Sequence, residues 1–121
     1  MAAKTILLVD DSPTERKSMQ QALQGHGYTL VSACDGEEAL EKALLQKPDL
    51  ILLDVILPRK NGFQVSRQLK TSPETQHVKI ILISSKTQDT DRFWGLKQGA
   101  DAYLTKPVKA EDLLASVAKY C

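Results

Sequence analysis

The sequence predicts an α/β fold of three layers, a parallel five-stranded sheet with helices on both faces. Short runs that are apolar throughout alternate with longer amphipathic stretches along the whole chain. The runs have strand length, and uninterrupted apolarity suits strands buried on both faces. Strands alternating with helices imply parallel pairing, because right-handed crossovers carry each helix across a face of the sheet.

The first strand is ILLV, Ile6 to Val9, which stops at Asp10. Ser12-Pro13-Thr14-Glu15 then starts a helix: the Ser12 hydroxyl can accept from the Glu15 amide, Glu15 can reach back, and Pro13 suits the first helical position. That helix carries Met19, Ala22 and Leu23 inward and ends at Gly25-His26-Gly27. TLVSA, Thr29 to Ala33, is the second strand. Gly36 to Gln46 is the second helix, with Ala39, Leu40, Ala43 and Leu44 on one face and Pro48 as its stop. LILL, Leu50 to Leu53, is a third strand that stops at Asp54. Asn61 caps a third helix with Phe63, Val65 and Leu69 inward, broken near Pro73. KIILI, Lys79 to Ile83, stops at Ser84. A fourth helix runs from about Asp89 to Gln98 and closes at Gly99. AYL, Ala102 to Leu104, leads to Lys106, and a last helix from about Ala110 presents Leu113, Leu114 and Val117.

A chain of 121 residues has room for one domain, spanning 1–121. Sixteen basic residues against fifteen acidic ones leave no electrostatic footprint for nucleic acid. The longest apolar runs are too short to cross a bilayer, and the N-terminus lacks a secretory pattern. Cys34 and Cys121 make no disulfide framework, so a reducing, cytoplasmic setting is expected. His26 and His77 fall in predicted loops without companion ligands. Gly25-His26-Gly27 ends a helix rather than opening one, so it is no dinucleotide fingerprint. Cys34 reads as a small buried hydrophobe, and Trp94 as a packing or partner contact.

In an open parallel sheet, ligands bind at the carboxyl ends of the strands. Those ends carry Asp10 and Asp11, then Asp54, Ser84 and Lys106. Each alone has a plainer role in a cap, turn or loop; their convergence on one edge is what points to chemistry. Three carboxylates repel, and a divalent cation plus Lys106 brings the local charge to zero. Mg²⁺ favours oxygen ligands. Asp11 and Asp54 can ligate it directly, the Ile56 backbone carbonyl can supply a third oxygen, and Asp10 can act through water. Lys106 can then neutralise one phosphoryl oxygen while Ser84 hydrogen-bonds another. The chemistry this suits is phosphoryl transfer onto a carboxylate.

The segments VDDS (Val9 to Ser12), LLDVILPRKNG (Leu52 to Gly62), ISS (Ile83 to Ser85) and YLTKP (Tyr103 to Pro107) resemble the response-regulator receiver domains of the CheY-like superfamily over essentially the whole chain. The resemblance implies a flavodoxin-like (βα)5 sandwich with strand order 2-1-3-4-5 and a cis peptide between Lys106 and Pro107. It implies Asp54 as phosphoacceptor, Asp10 and Asp11 as metal-binding acids, Ser84 as switch hydroxyl, Lys106 as phosphate-contacting lysine and Tyr103 as switch aromatic. The implied partners are a sensor histidine kinase, CheA-like in one particular branch, and a downstream protein target. That branch, the PilH type of the chemotaxis-like system controlling type IV pili and twitching motility, is marked by DDSPTE (Asp10 to Glu15), NGFQ (Asn61 to Gln64) and WGLKQGADAYLTKPV (Trp94 to Val108). The site varies from the common pattern at Ser84, Ser85, Ile56 and Lys86. Two other classes are open to such a fold. A flavodoxin-like cofactor binder needs a phosphate cradle, which the acidic loop after the first strand opposes. A phosphate-independent scaffold would not need the full acidic set.

Overall fold

The computed structural model of the chain describes residues 3–85, 93, 94 and 96–121. Five strands, β1 (Thr5–Val9), β2 (Thr29–Ala33), β3 (Leu50–Asp54), β4 (Lys79–Ser84) and β5 (Ala102–Thr105), form one parallel sheet in the order β2-β1-β3-β4-β5. This is the flavodoxin-like order that the resemblance implies. Around it lie α1 (Pro13–Leu23), α2 (Gly36–Gln46), α3 (Gly62–Thr71) and a C-terminal helix α4 (Ala110–Tyr120). Phe93, Trp94, Leu96 and Lys97 are helical. The first residues of the helix expected there, 89–92, lie outside the described residues.

Side-chain alternation along the central strands builds two cores. Leu7 and Val9 of β1 point to one face, with Ala39, Ala43, Val65 and Leu69 of α2 and α3. Ile6 and Leu8 point to the other, with Leu23 of α1 and Leu113 and Val117 of α4. Every residue of β3 is buried, as expected of a central strand covered on both sides. β2 is an edge strand and only Ala33 in it is buried.

Local chemistry sets the helix starts. The Ser12 hydroxyl accepts from the Glu15 amide, but the return arm of the expected capping box is not needed, because the Ser12 amide donates to Asp10 Oδ1 at 2.9 Å. The complete reciprocal box forms at α3 instead, between Asn61 and Gln64. Two further expectations are corrected. Cys34 is exposed, not buried, because it follows the last residue of the edge strand. Leu44 is half-exposed: the small Ala39 and Ala43 face the sheet, and Leu44, rotated about 100° from Ala43, lines a surface groove with Leu40, Gln68 and Leu69.

Two glycines bring the loops together at the C-terminal edge. A Cβ on Gly36, at the start of α2, would run into the Lys60 carbonyl oxygen and lie 2.7 Å from Lys60 Cβ. A Cβ on Gly62, at the start of α3, would run into the Asp54 carbonyl oxygen and lie 2.8 Å from Val55 Cα. Gly62 N–H also donates to the Val55 carbonyl at 2.8 Å, closing the loop that leaves β3. The atoms opposing a Gly62 methyl are backbone and cannot swing aside. Gly62→Ala is therefore expected to lower the unfolding free energy by about 1–3 kcal/mol, read as a lower urea midpoint at unchanged slope. A Gly62→Ala stability within about 0.5 kcal/mol of wild type would show that the close approach is not a constraint.

Candidate functional site

The strand ends pin the functional backbone because ladder bonding continues past them. Asp10 N–H donates to Ala33 O at 3.2 Å, Val55 N–H to Ile83 O at 3.0 Å, and Lys106 N–H to Ser84 O at 2.7 Å. Asp10, Asp54 and Lys106 are thereby held on one edge of the sheet, although 44 and then 52 positions separate them in sequence.

The side chains meet. Lys106 Nζ lies 3.0 Å from Asp10 Oδ2 and 3.2 Å from Asp54 Oδ2, so one ammonium bridges two carboxylates. The remaining oxygens are also used: Asp10 Oδ1 accepts from Ser12 N–H, and Asp54 Oδ1 accepts from Ile56 N–H at 3.2 Å. Asp10 and Asp54 are buried, at 2% and 6% exposure, whereas Asp11 is exposed. Each of the three offers a carboxylate oxygen within 4.8 Å of the others. Three hard oxygen donors so close fit a divalent cation such as Mg²⁺, which this donor set suits better than a softer metal.

Burial pushes the Asp54 carboxyl above its ordinary range, and the neighbouring Asp10 charge adds to that push; Lys106 and the Ile56 amide work against it without cancelling it. Burial by itself would lower the Lys106 ammonium. The hydrogen bond to Asp10 and the charges of Asp54 and Asp10 outweigh that and hold it above its ordinary value.

Ser84 is fully buried at the end of β4, in register with Thr105 of β5. Tyr103 is also buried, in register with Leu82, so its ring lies inside. The Lys106-Pro107 peptide is cis. Ile56 follows Asp54 by two residues and its side chain is 56% exposed; Lys86 lies outside the described residues. Trp94 is half-exposed.

The sequence reading missed Arg16, whose guanidinium donates to the Asp10 backbone carbonyl at 2.6 Å. The available signal was position. Helical side chains lean toward the N-terminus, so a long basic residue one turn after the Ser12 cap reaches the loop before it. It also missed Arg59, with φ +70°, flanked by a Lys60 N–H to Pro58 O bond and paired with Glu37 at 3.1 Å. Nothing in Pro58-Arg59-Lys60 announces a left-handed residue.

Comparison with known proteins gives concordant results. The response regulator receiver domain model matches residues 6–118. Protein PilH of Pseudomonas aeruginosa is 44% identical over 93% of this chain and 93% of its own length. The alkaline phosphatase synthesis transcriptional regulatory protein PhoP of Bacillus subtilis is 41% identical over 94% of this chain, but over only 47% of its own length. Among solved structures, the chemotaxis protein CheY4 of Vibrio cholerae superposes with a TM-score of 0.92 at 31% identity, covering 99% of this chain and all of that one. A CheY-like receiver domain protein of Methanospirillum hungatei superposes at 0.89 with 30% identity, over 97% and 92% of the two chains.

The upward displacement of Asp54 makes a stability prediction for the metal-free protein. A folded-state value above the unfolded one means that the group's contribution is fully present below the unfolded value, near 4, and is lost as pH rises through the folded value. At pH 7 the ionised Asp54 is therefore a net cost. Asp54→Asn, measured in chelator, should raise the thermal midpoint at pH 7 by a few degrees, on the order of 1 kcal/mol. The gain over wild type should shrink as pH falls toward 4. A variant no more stable than wild type at pH 7 would contradict this account of the charge.

Proposed function

The chain belongs to the response regulator receiver domain family, and from that premise we propose that Asp54 is the acceptor through which it is switched by phosphorylation. The family's role is signalling within two-component systems, not substrate turnover. The observation that carries the assignment is the position of Asp54: a buried carboxylate at the end of β3, 3.2 Å from the Lys106 ammonium and grouped with Asp10 and Asp11.

An oxygen of the Asp54 carboxylate attacks the phosphorus of a donor phosphohistidine. The new O–P bond forms as the P–N bond breaks, and the freed imidazole takes a proton from solvent. The chain's contribution is positioning and charge neutralisation, which is most of what phosphoryl transfer asks of a protein. Asp54 is fixed for attack by the Ile56 amide and by the pinned end of β3. Asp10, Asp11, Asp54 and the Ile56 carbonyl would hold Mg²⁺. The cation supplies neutralisation of the phosphoryl oxygens. Once Asp54 carries the phosphoryl group as an acyl phosphate, the negative charge that Lys106 faces moves from the carboxylate to the phosphoryl group, and Lys106 follows it while keeping Asp10. The Ser84 hydroxyl donates to another phosphoryl oxygen, and the ring of Tyr103 responds on the neighbouring strand.

The donor is a histidine kinase; the PilH-type residues in the Asp10–Glu15, Asn61–Gln64 and Trp94–Val108 segments support a CheA-like donor and an output in type IV pilus control. That output is a contact with another protein, made in the cytoplasm on the face of β5 and α4 around Tyr103. Among the described residues no helix is long and apolar enough to cross a membrane. The acidic loop after β1 repels the phosphates of a flavin or nucleotide, which counts against a cofactor-binding role.

Treatment with acetyl phosphate and Mg²⁺ should add one phosphoryl mass to the wild type and none to Asp54→Asn, by intact-mass spectrometry, and chelator should abolish the addition. Equal labelling of the variant would remove Asp54 from the role. A second expectation concerns decay. Ile56, exposed and bonded through its N–H to Asp54 Oδ1, has a side chain that offers no hydrogen bond to orient an attacking water. Ile56→Asn should shorten the phosphoryl lifetime after donor removal; an equal or longer lifetime would refute this account.

A further inference from the structure

The three carboxylates are not held alike. Both oxygens of Asp10 are engaged, by Ser12 N–H and by Lys106, and both oxygens of Asp54, by Ile56 N–H and by Lys106. Among the described residues the Asp11 carboxylate has no hydrogen-bond or ion-pair partner, and it is exposed. Its backbone sets the Cα–Cβ vector from which the carboxylate projects. The peptide group that precedes it is planar, and the carbonyl oxygen of that group, Asp10 O, is the atom that Arg16 grips at 2.6 Å. The Arg16 backbone is tied to the same loop, because its N–H donates to Ser12 O at 3.0 Å. Arg16 is part-buried and reaches the loop through a charge-assisted bond, the stronger kind.

We propose that Arg16 is a positioning residue for the divalent-cation site: by holding the Asp10 carbonyl it fixes the Asp10–Asp11 peptide and so presents the otherwise unsupported Asp11 carboxylate to the cation. This rests on the Mg²⁺ assignment made above. Positioning and simple electrostatics predict opposite signs. Arg16 carries a positive charge beside the site, so if charge were all that mattered, removing it would strengthen binding of a divalent cation. If positioning dominates, removing it weakens binding. Loss of a partner that orients a metal ligand typically costs 10–100-fold in affinity, and with one of three carboxylates affected the low end applies.

The test is calorimetric titration of the full chain with MgCl₂ at fixed ionic strength. Arg16→Ala is expected to raise the Mg²⁺ Kd about tenfold. Arg16→Lys keeps a cationic donor that can reach the carbonyl and should stay within about threefold of wild type. Thermal unfolding in chelator checks that each variant is folded. Should the alanine variant not fold, Arg16→Gln replaces it, with a weaker Mg²⁺ affinity than Arg16→Lys expected. Asp11→Asn separates this proposal from the reading beneath it. If wild type and Asp11→Asn bind Mg²⁺ equally, or neither binds, the metal assignment falls. If wild type binds and Asp11→Asn does not, yet Arg16→Ala binds as tightly as wild type or tighter, the positioning role of Arg16 is overturned. An Arg16→Lys variant as weak as Arg16→Ala overturns it too.

Discussion

Three carboxylates against one ammonium is a local charge of minus two, and the architecture is what keeps that charge in place. Two like charges within 4.8 Å repel by roughly 3 kcal/mol at an effective dielectric near 20. Left to themselves the loops would splay to separate Asp10, Asp11 and Asp54. They do not, because β1 and β3 are adjacent central strands, buried from Ile6 to Val9 and from Leu50 to Leu53, right up to the site. Among the described residues, twelve large side chains, Leu7, Leu8, Leu52 and Leu53 among them, have under 2% exposure. Each contributes about 1.5–3 kcal/mol on burial, so displacing a strand end to relieve one repulsion would cost more than it recovers. The core holds a site that would otherwise disperse, at a cost visible in Asp54, whose carboxyl is pushed upward first by burial and then by the neighbouring Asp10 charge.

Lys106 is the shared neutraliser, and its place in the chain gives it a second consequence. Its amide continues the β4–β5 ladder through Ser84 O, so the group that answers the acidic charges is bonded through its backbone to the end of β4 and follows directly on β5. A change of charge at Asp54 is felt along those two strands first. The other end of that region is stapled. Ser66 Oγ donates to Gln98 O, Lys70 pairs with Asp101 at 3.2 Å, and the Ile80 amide donates to Asp101 Oδ2. The start of β5 is thus tied to α3 and β4, while its far end meets the charged site. Any movement driven from the site under the proposed phosphorylation would therefore meet a tied start of β5.

The strands were legible because their apolar runs are unbroken, and their bounds fall within a residue or two of those expected from ILLV, LILL and KIILI. The site was legible for the same reason: a parallel sheet leaves its carboxyl ends at one edge, so Asp10, Asp54, Ser84 and Lys106 could be placed together before any coordinate. What failed were judgements that depend on a neighbour not adjacent in sequence. Cys34 was expected inside, but β2 is an edge, and its TLVSA composition alone does not say so. Leu44 continued the apolar face of α2 in sequence, yet Ala39 and Ala43 take the sheet contact. The close approaches at Gly36 and Gly62 and the left-handed Arg59 belong to loop-to-loop packing, which leaves no periodic trace.

Arg16 and Lys106 show how two cations can serve one acidic site without duplicating each other. Lys106 meets carboxylate oxygens directly, Asp54 Oδ2 among them, so under the proposed phosphorylation its contacts would change. Arg16 meets a carbonyl oxygen on the backbone, and nothing in that contact depends on the charge state of Asp54. One cation is therefore placed to sense and the other to brace. A brace that instead paired with the Asp11 carboxylate would compete with the cation for the same oxygens. By gripping the peptide rather than the side chain, Arg16 leaves both oxygens of Asp11 open, and a ligand needs that openness together with a fixed direction.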